Sequence, residues 1–314
     1  MRRLPALIAA VCLLAVPSAV LAHGSNVPEP TFPAILLAWK LDPLVMGALL
    51  VAAAAYAWAV RRVNRGHPSN PQPAYRSWLF GGGLAAIGLA LLSPIEAYEG
   101  ELFSVHMVQH MLLELIAAPL LLAGAPITLA LRAAAPQVRR RLLAVLRSRI
   151  VHAISFPVVA WVLFAAVNWG WHFSVLYDRA LENQALHYFQ HATFLGAALL
   201  FWWPIVGADP SPWRLPHPVR ILYVFLAMPQ NSFLGVAIMS AGTVLYPHYA
   251  TNGREWGLSP LEDQALGGVI MWVVGDVFFL AAMIITVWLW MRHEDRRTAR
   301  LDRRLAEERA ARGE

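Results

Sequence analysis

Seven long apolar runs separated by short polar segments organise this chain. Their approximate limits are Leu44 to Val60, Ser77 to Leu92, Phe103 to Leu131, Ala153 to Trp171, Leu186 to Val206, Val219 to Gly242 and Leu266 to Met291. Each run has about the length that a helix needs to cross a roughly 30 Å hydrocarbon layer. The pattern predicts an all-α polytopic membrane protein, a bundle of seven transmembrane helices. Ahead of the runs stand Arg2-Arg3, an apolar stretch from Leu4 to Val16, then Pro17 and a small-residue segment ending at Ala22. That order is the pattern of a secretory signal peptide cut after Ala22, or of an anchor if it stays uncleaved. The expected organisation is a signal over 1–22, a membrane domain over 23–291 and a basic cytoplasmic tail over 292–314.

Composition agrees with this class: 58% of the 314 residues are hydrophobic, 14% are charged, and the mean hydropathy is +0.52. The net charge of +6 does not point to nucleic acid, because the arginines sit in short loops and the tail. Loops 61–76, 132–149 and 207–220 carry 4, 6 and 2 arginines and the tail carries 8, whereas the opposite side holds Lys40, Arg179 and Arg254. The positive-inside rule then places the arginine-rich side in the cytoplasm, the mature N-terminus outside and the C-terminus inside. The one cysteine, Cys12, falls within the leader. A processed chain holds no thiol, which excludes disulfides, thiolate zinc sites and Cys-x-x-Cys metal transfer.

The chemistry lies in a pattern that occurs twice, His-x-x-Gln-His, at His106, Gln109, His110 and at His187, Gln190, His191. Residues three and four apart share a helix face, so each copy presents two imidazoles and an amide in one direction. Imidazole ligates copper, zinc and iron, and ionisable groups at membrane depth are costly enough to suggest function. His106, His110, His187 and His191 are the first-choice metal ligands, with His172 and His248 in reserve, all on the expected outer face. The bland reading is histidines that only hydrogen-bond near the interface. Gln109 and Gln190 are expected to fix ring orientation, because ligating imidazoles donate their other N–H to a partner. Asp178 and Asp263 either orient histidines from the outer loops or cap helices. Met107, Met111 and Met239 are soft donors close by, although methionine in an apolar helix usually packs. Ligand type alone does not separate copper from zinc.

Four polar residues lie deeper. Glu114, Gln230, Asn231 and Asp276 each fall about eleven residues inside their span, roughly 16 Å down. A charged carboxylate facing lipid costs about 2 to 4 kcal/mol, so Glu114 and Asp276 are expected to face the bundle interior. There they attract a cation or relay a proton, or else form a structural hydrogen-bond layer with Gln230 or Asn231. They favour a metal-ion transporter as one competing reading. A haem-binding redox protein is another, although histidines four apart on one helix, about 6 Å along its axis, suit a small ion better than a haem held from both sides.

Taken in order, the residues resemble the cytochrome c oxidase assembly factors of the CtaG type. The resemblance runs from about Trp39 to Trp290. It rests on Trp39-x-x-Asp42-Pro43, His106-Met-Val-Gln109-His110, Ala118-Pro119, Gly124-Ala125-Pro126, Trp171-His172 and Tyr177-Asp178-x-Ala180-Leu181. It continues through His187-x-x-x-His191, Phe201-Trp202-Trp203-Pro204, Leu245-Tyr246-Pro247-x-Tyr249, Asp263-Gln264 and Met271-Trp272. Phe173-Ser174 stand where that pattern has a proline. The resemblance implies a bacterial inner-membrane protein that is not an enzyme. Its implied role is to mature a haem-copper oxidase, delivering copper to an oxidase subunit after receiving it from a periplasmic copper donor.

His23 adds a separate expectation. A cut after Ala22 makes it the first residue, where its free α-amine and its imidazole together chelate one copper ion. The amine's ordinary pKa of about 7.7 to 8.0 lets metal displace its proton at little cost near neutral pH. Mass spectrometry of the mature chain should find His23 at the N-terminus; any other start removes the chelate.

Overall fold

The computed structural model describes residues 29–312, so the leader and His23 lie outside the described residues. The described residues are helical, with no strand among them. Six helices are long and apolar enough to cross a membrane: α1 (Pro43–Gly66), α2 (Ala74–Tyr98), α3 (Phe103–Ala133), α6 (Gln184–Val206), α7 (His217–Met239) and α8 (Pro260–Glu308). Between α3 and α6 lie α4 (Pro157–His172) and the short α5 (Leu176–Glu182). The chain is therefore a multi-pass membrane protein by length and composition of its helices.

The fourth expected span departs from expectation. Sequence places its start near Ala153, yet α4 begins at Pro157 and has only 16 residues. The cause is local: Phe156 precedes a proline and takes an extended ψ of 126°, which no helix accommodates. Residues Arg149–Ile154 form their own turn instead. Only α4 together with α5 reaches spanning length, and the two are bent by 69° at the break.

Helix ends are fixed by side chains. Asp42 caps α1, accepting from Leu44 N at 2.7 Å and Val45 N at 3.0 Å, and its other oxygen accepts the Tyr188 hydroxyl of α6. Asn183 caps α6 through Leu186 N at 3.0 Å, and Ser259 with Glu262 forms a reciprocal capping box on α8. α6 stops at Gly207, whose φ of +60° favours glycine.

Helices α3 and α6 form the centre, with half of their apolar windows buried, whereas 11% of the α1 window is. The core beneath the histidine-bearing turns packs Leu115, Phe164, Phe201, Trp202, Leu234 and Phe279. Helices α7 and α8 meet backbone to backbone: a Cβ on Gly235 would lie 2.8 Å from the Gly268 carbonyl, and one on Gly268 would lie 2.6 Å from the Gly235 carbonyl.

Two π-helical turns interrupt the bundle, Leu112–Ala117 in α3 and Ile270–Val274 in α8. Widening a turn disturbs the regular carbonyl ladder, and in both places a neighbouring side chain repairs it. Trp202 Nε1 donates to the Glu114 carbonyl at 2.8 Å, and Asn231 Nδ2 donates to the Met271 carbonyl at 2.9 Å. Gly235→Ala should destabilise by about 1–3 kcal/mol through overpacking. Gly47→Ala, which meets nothing within 4 Å, should be neutral; thermal unfolding in detergent measures both.

Candidate metal centre

The site is assembled where α3 and α6 begin. Asp263 of α8 holds the first turn of α3: its Oδ2 accepts from Phe103 N at 2.7 Å and Ser104 N at 3.4 Å, and its Oδ1 accepts from Ser104 Oγ at 2.5 Å. From that fixed start, His106 and His110 fall one turn apart on the face that meets α6. His187 and His191 do the same from α6. All four rings are buried, and in five of their six pairings the centroids lie 4.2 to 6.3 Å apart.

Hydrogen bonds settle which nitrogens carry protons. Tyr249 donates its hydroxyl to the Glu99 carbonyl at 3.0 Å, and burial pushes its pKa well above the ordinary value, so the phenol keeps that proton. Tyr249 can then only accept from His106 Nδ1, 3.0 Å away, and the Glu99 carboxylate lies 3.1 Å from the same nitrogen. His106 is thus protonated on Nδ1, with its lone pair on Nε2. That lone pair faces His110 Nε2 at 2.9 Å, so His110 donates there and keeps its own lone pair on Nδ1. No polar group meets His110 Nδ1.

The Gln109 amide is oriented by similar logic. Its Nε2 donates to the Ala90 carbonyl at 2.9 Å and to Glu96 Oε2 at 2.7 Å, both of which only accept. Its Oε1 is therefore turned to His191 Nε2 at 3.0 Å, which must carry the proton. Ala90 lies four residues before Pro94, which has no N–H to complete the helix, so Gln109 satisfies a carbonyl that proline leaves open.

The other sequence-derived residues separate into those that join the cluster and those that do not. His172 joins: its Nδ1 donates to the Asn168 carbonyl at 2.7 Å, its Nε2 has no partner, and its ring centroid lies 6.1 Å from that of His110. His248 does not, because its Nε2 donates to the Gly100 carbonyl at 3.1 Å. Neither aspartate touches a ring. Asp263 is spent on the start of α3, and Asp178 accepts from the backbone of His248 at 3.2 Å. Gln190 is buried without a side-chain partner, unlike its counterpart Gln109. Met107 and Met111 belong to the apolar core. Deeper down, Glu114 accepts from Asn168 at 3.1 Å and Asp276 from Ser232 at 2.7 Å. Gln230 accepts from Trp169 Nε1 at 3.2 Å, and Asn231 serves the α8 backbone. The carboxylates are thus not tied to Gln230 or Asn231, because both amides already serve other partners.

The acidic residues at the C-terminal end of α2 escaped the sequence reading. Glu99 Oε2 lies 3.1 Å from His106 Nδ1 and 3.9 Å from His187 Nε2, almost wholly buried. Burial pushes its carboxyl up, but the imidazoles of His187 and His106 more than offset this and hold it below the usual carboxylate range. Glu96 takes Lys40 at 3.2 Å on one oxygen and Gln109 on the other. The available signal was Glu96-x-x-Glu99-x-Glu101 ending an apolar run seven residues before His106.

Two groups of donors result. His106, His110 and His191 each offer a ring nitrogen within 4.8 Å of the others, and a carboxylate oxygen of Glu99 lies as close to ring nitrogens of His106 and His187. Two nitrogens on one tetrahedral ion with bonds of about 2.0 Å stand roughly 3.3 Å apart, so the shared proton between His106 and His110 occupies a gap that an ion fits with little movement. Beside the cluster a cavity of about 590 Å³, lined by His172, Asp178 and Glu182, opens at the same end of the bundle. Gln109→Leu should strand the Ala90 carbonyl and one oxygen of Glu96, costing about 1–3 kcal/mol for each buried group. Thermal unfolding in detergent reads this loss, and Gln190→Leu, which strands nothing, should not reproduce it.

Comparison with known proteins accounts for most of the chain. A family model described as cytochrome c oxidase caa3 assembly factor (Caa3_CtaG) matches residues 54–293, which include both His-x-x-Gln-His copies, Glu99 and Tyr249. Uncharacterized protein Mb0105 of Mycobacterium bovis and uncharacterized protein MT0111 of Mycobacterium tuberculosis are each 35% identical over 289 residues, covering 89% of this chain and 43% of theirs. Uncharacterized protein ML1998 of Mycobacterium leprae is 30% identical over 289 residues, covering 89% of this chain and 44% of its own. The chain thus spans less than half the length of these relatives. No solved structure matches it. With three-quarters of its length inside the family model, the chain belongs to the cytochrome c oxidase caa3 assembly factor family.

Proposed function

We propose that the chain holds copper as cargo at the outer ends of α3 and α6 and supplies it to a haem-copper oxidase subunit during assembly. The observation that carries this reading is the convergence of five buried imidazoles from three helices, with lone-pair nitrogens on His110 and His172 that no protein group uses. A buried acceptor without a donor costs about 1–3 kcal/mol, which an incoming cation would recover. The caa3-type oxidase named in the family's description supports copper over zinc. In this reading α4 with α5 completes seven spans, the arginine-rich loops face the cytoplasm, and the metal centre faces the periplasm of a bacterial inner membrane. The cavity beside His172 then opens toward a periplasmic copper donor, with Asp178 and Glu182 attracting the cation.

Two observations weigh against the competing readings. Below His110 the bundle is filled by Met111, Leu115, Phe164, Phe201 and Trp202, so the metal centre ends on a packed core and not on a transport path. The facing rings of α3 and α6, His106 with His191 at 6.3 Å and His110 with His191 at 5.8 Å between centroids, leave no space for a porphyrin between them.

His110→Ala and His191→Ala, made singly, should each weaken copper binding by at least the roughly 10–100-fold that loss of an outer partner causes. Elemental analysis and competition titration of folded variants measure it. Copper affinity unchanged in both would remove the reading. Cells without the protein should lose activity of a copper-containing oxidase and keep that of a quinol oxidase lacking copper.

A further inference from the structure

His106 presents its two ring nitrogens to two different sets of donors. Nδ1 faces Glu99 Oε2 at 3.1 Å, and the same carboxylate oxygen lies 3.9 Å from His187 Nε2. Nε2 faces His110 Nε2 at 2.9 Å, with a nitrogen of His191 within 4.8 Å. The first set sits at the end of α2 and in the first turns of α3 and α6. The second lies one turn further along both helices, about 6 Å deeper. Glu99 gives the first set an anionic oxygen, whereas the second is all imidazole.

We propose that the centre contains two alternative positions for one ion, an outer one on Glu99, His106 and His187 and an inner one on His106, His110 and His191, with His106 as the ligand common to both. This rests on the reading of the centre as a metal site. A neutral imidazole has one lone pair, so His106 serves one position at a time. In the hydrogen-bond arrangement described above that lone pair is on Nε2, and the inner position fills once the proton on His110 Nε2 moves to His110 Nδ1. For the outer position to fill, the proton shared by the two Nε2 atoms passes to His106, and the proton displaced from His106 Nδ1 ends on His110 Nδ1, the buried atom without a partner. Each state leaves the pair with the same two protons, so moving the ion between positions changes no net charge. An ion passing between the positions keeps one ligand throughout, which suits a protein that must hold its cargo and also let it go.

The test counts copper on the purified full chain in detergent, using copper(II) chloride at saturating concentration, equilibrium dialysis and elemental analysis. Nitrogen and oxygen donors both suit Cu(II). Wild type should hold one ion. The double variant His110→Ala/His191→Ala should still hold one, on the outer position, with at least about tenfold weaker affinity. Adding Glu99→Gln to that double variant should abolish binding, whereas Glu99→Gln alone should keep one ion on the inner position. If the alanine pair fails to fold, His110→Asn/His191→Asn is read in its place. A folded double variant without copper, or a triple variant that keeps it, overturns the outer position while leaving the metal reading intact. Two ions on wild type overturn the exclusive use of His106. No copper on wild type overturns the metal reading itself, and this inference with it.

Discussion

One amide joins the three helices on which the centre depends. Gln109 of α3 donates to the Ala90 carbonyl and the Glu96 carboxylate of α2, and accepts from His191 of α6. In lipid no water is available to satisfy these groups, so the chain has to supply each partner itself. Pro94 creates the need by removing an N–H from the end of α2, and the same proline starts the turn that carries Glu96 and then leads to Glu99. The break in one helix and the ring orientation in another are thus served by a single side chain. Lys40, half-exposed, extends this network to the surface through Glu96.

Apolar periodicity made the long helices legible, since six of the expected runs correspond to helices of spanning length. It failed at α4, where composition reads straight through a boundary that the backbone restriction before Pro157 imposes. The clustering of His106, His110, His187 and His191 was readable because the i, i+4 spacing places each pair on one face. Glu99 was not, because it follows the last helical residue of α2 and its position depends on how α2 and α3 meet. Asp263 shows the same limit from the other side. A carboxylate beside a histidine cluster looks like a partner for a ring, and only the tertiary arrangement reveals that it serves the backbone at the start of α3, 160 positions earlier.

The two copies of His-x-x-Gln-His are alike in sequence and different in use. Gln109 makes three hydrogen bonds, whereas Gln190, equally buried, makes none with its side chain. The helices are therefore not equivalent halves of a symmetric site. The α3 copy is anchored to α2 and α8, and the α6 copy leans on it. Carboxylates enter from the α2 side alone, which gives the centre an electrostatic polarity that the repeated motif does not express.

The π-helical turns carry a consequence for how this fold can diverge. One residue more or less in a helix rotates everything beyond it by about 100° relative to what precedes it. Leu112–Ala117 begins two residues after His110, and Ile270–Val274 begins six residues after Gln264. Each long helix is therefore two segments with separate angular frames, one holding polar side chains in register at the outer end and one meeting lipid and core below. Drift in the apolar lower segments can alter their packing face without turning the imidazoles away from one another. The widened turns act as phase adjusters between the two frames, so that the lower segment can repack while the centre keeps its geometry.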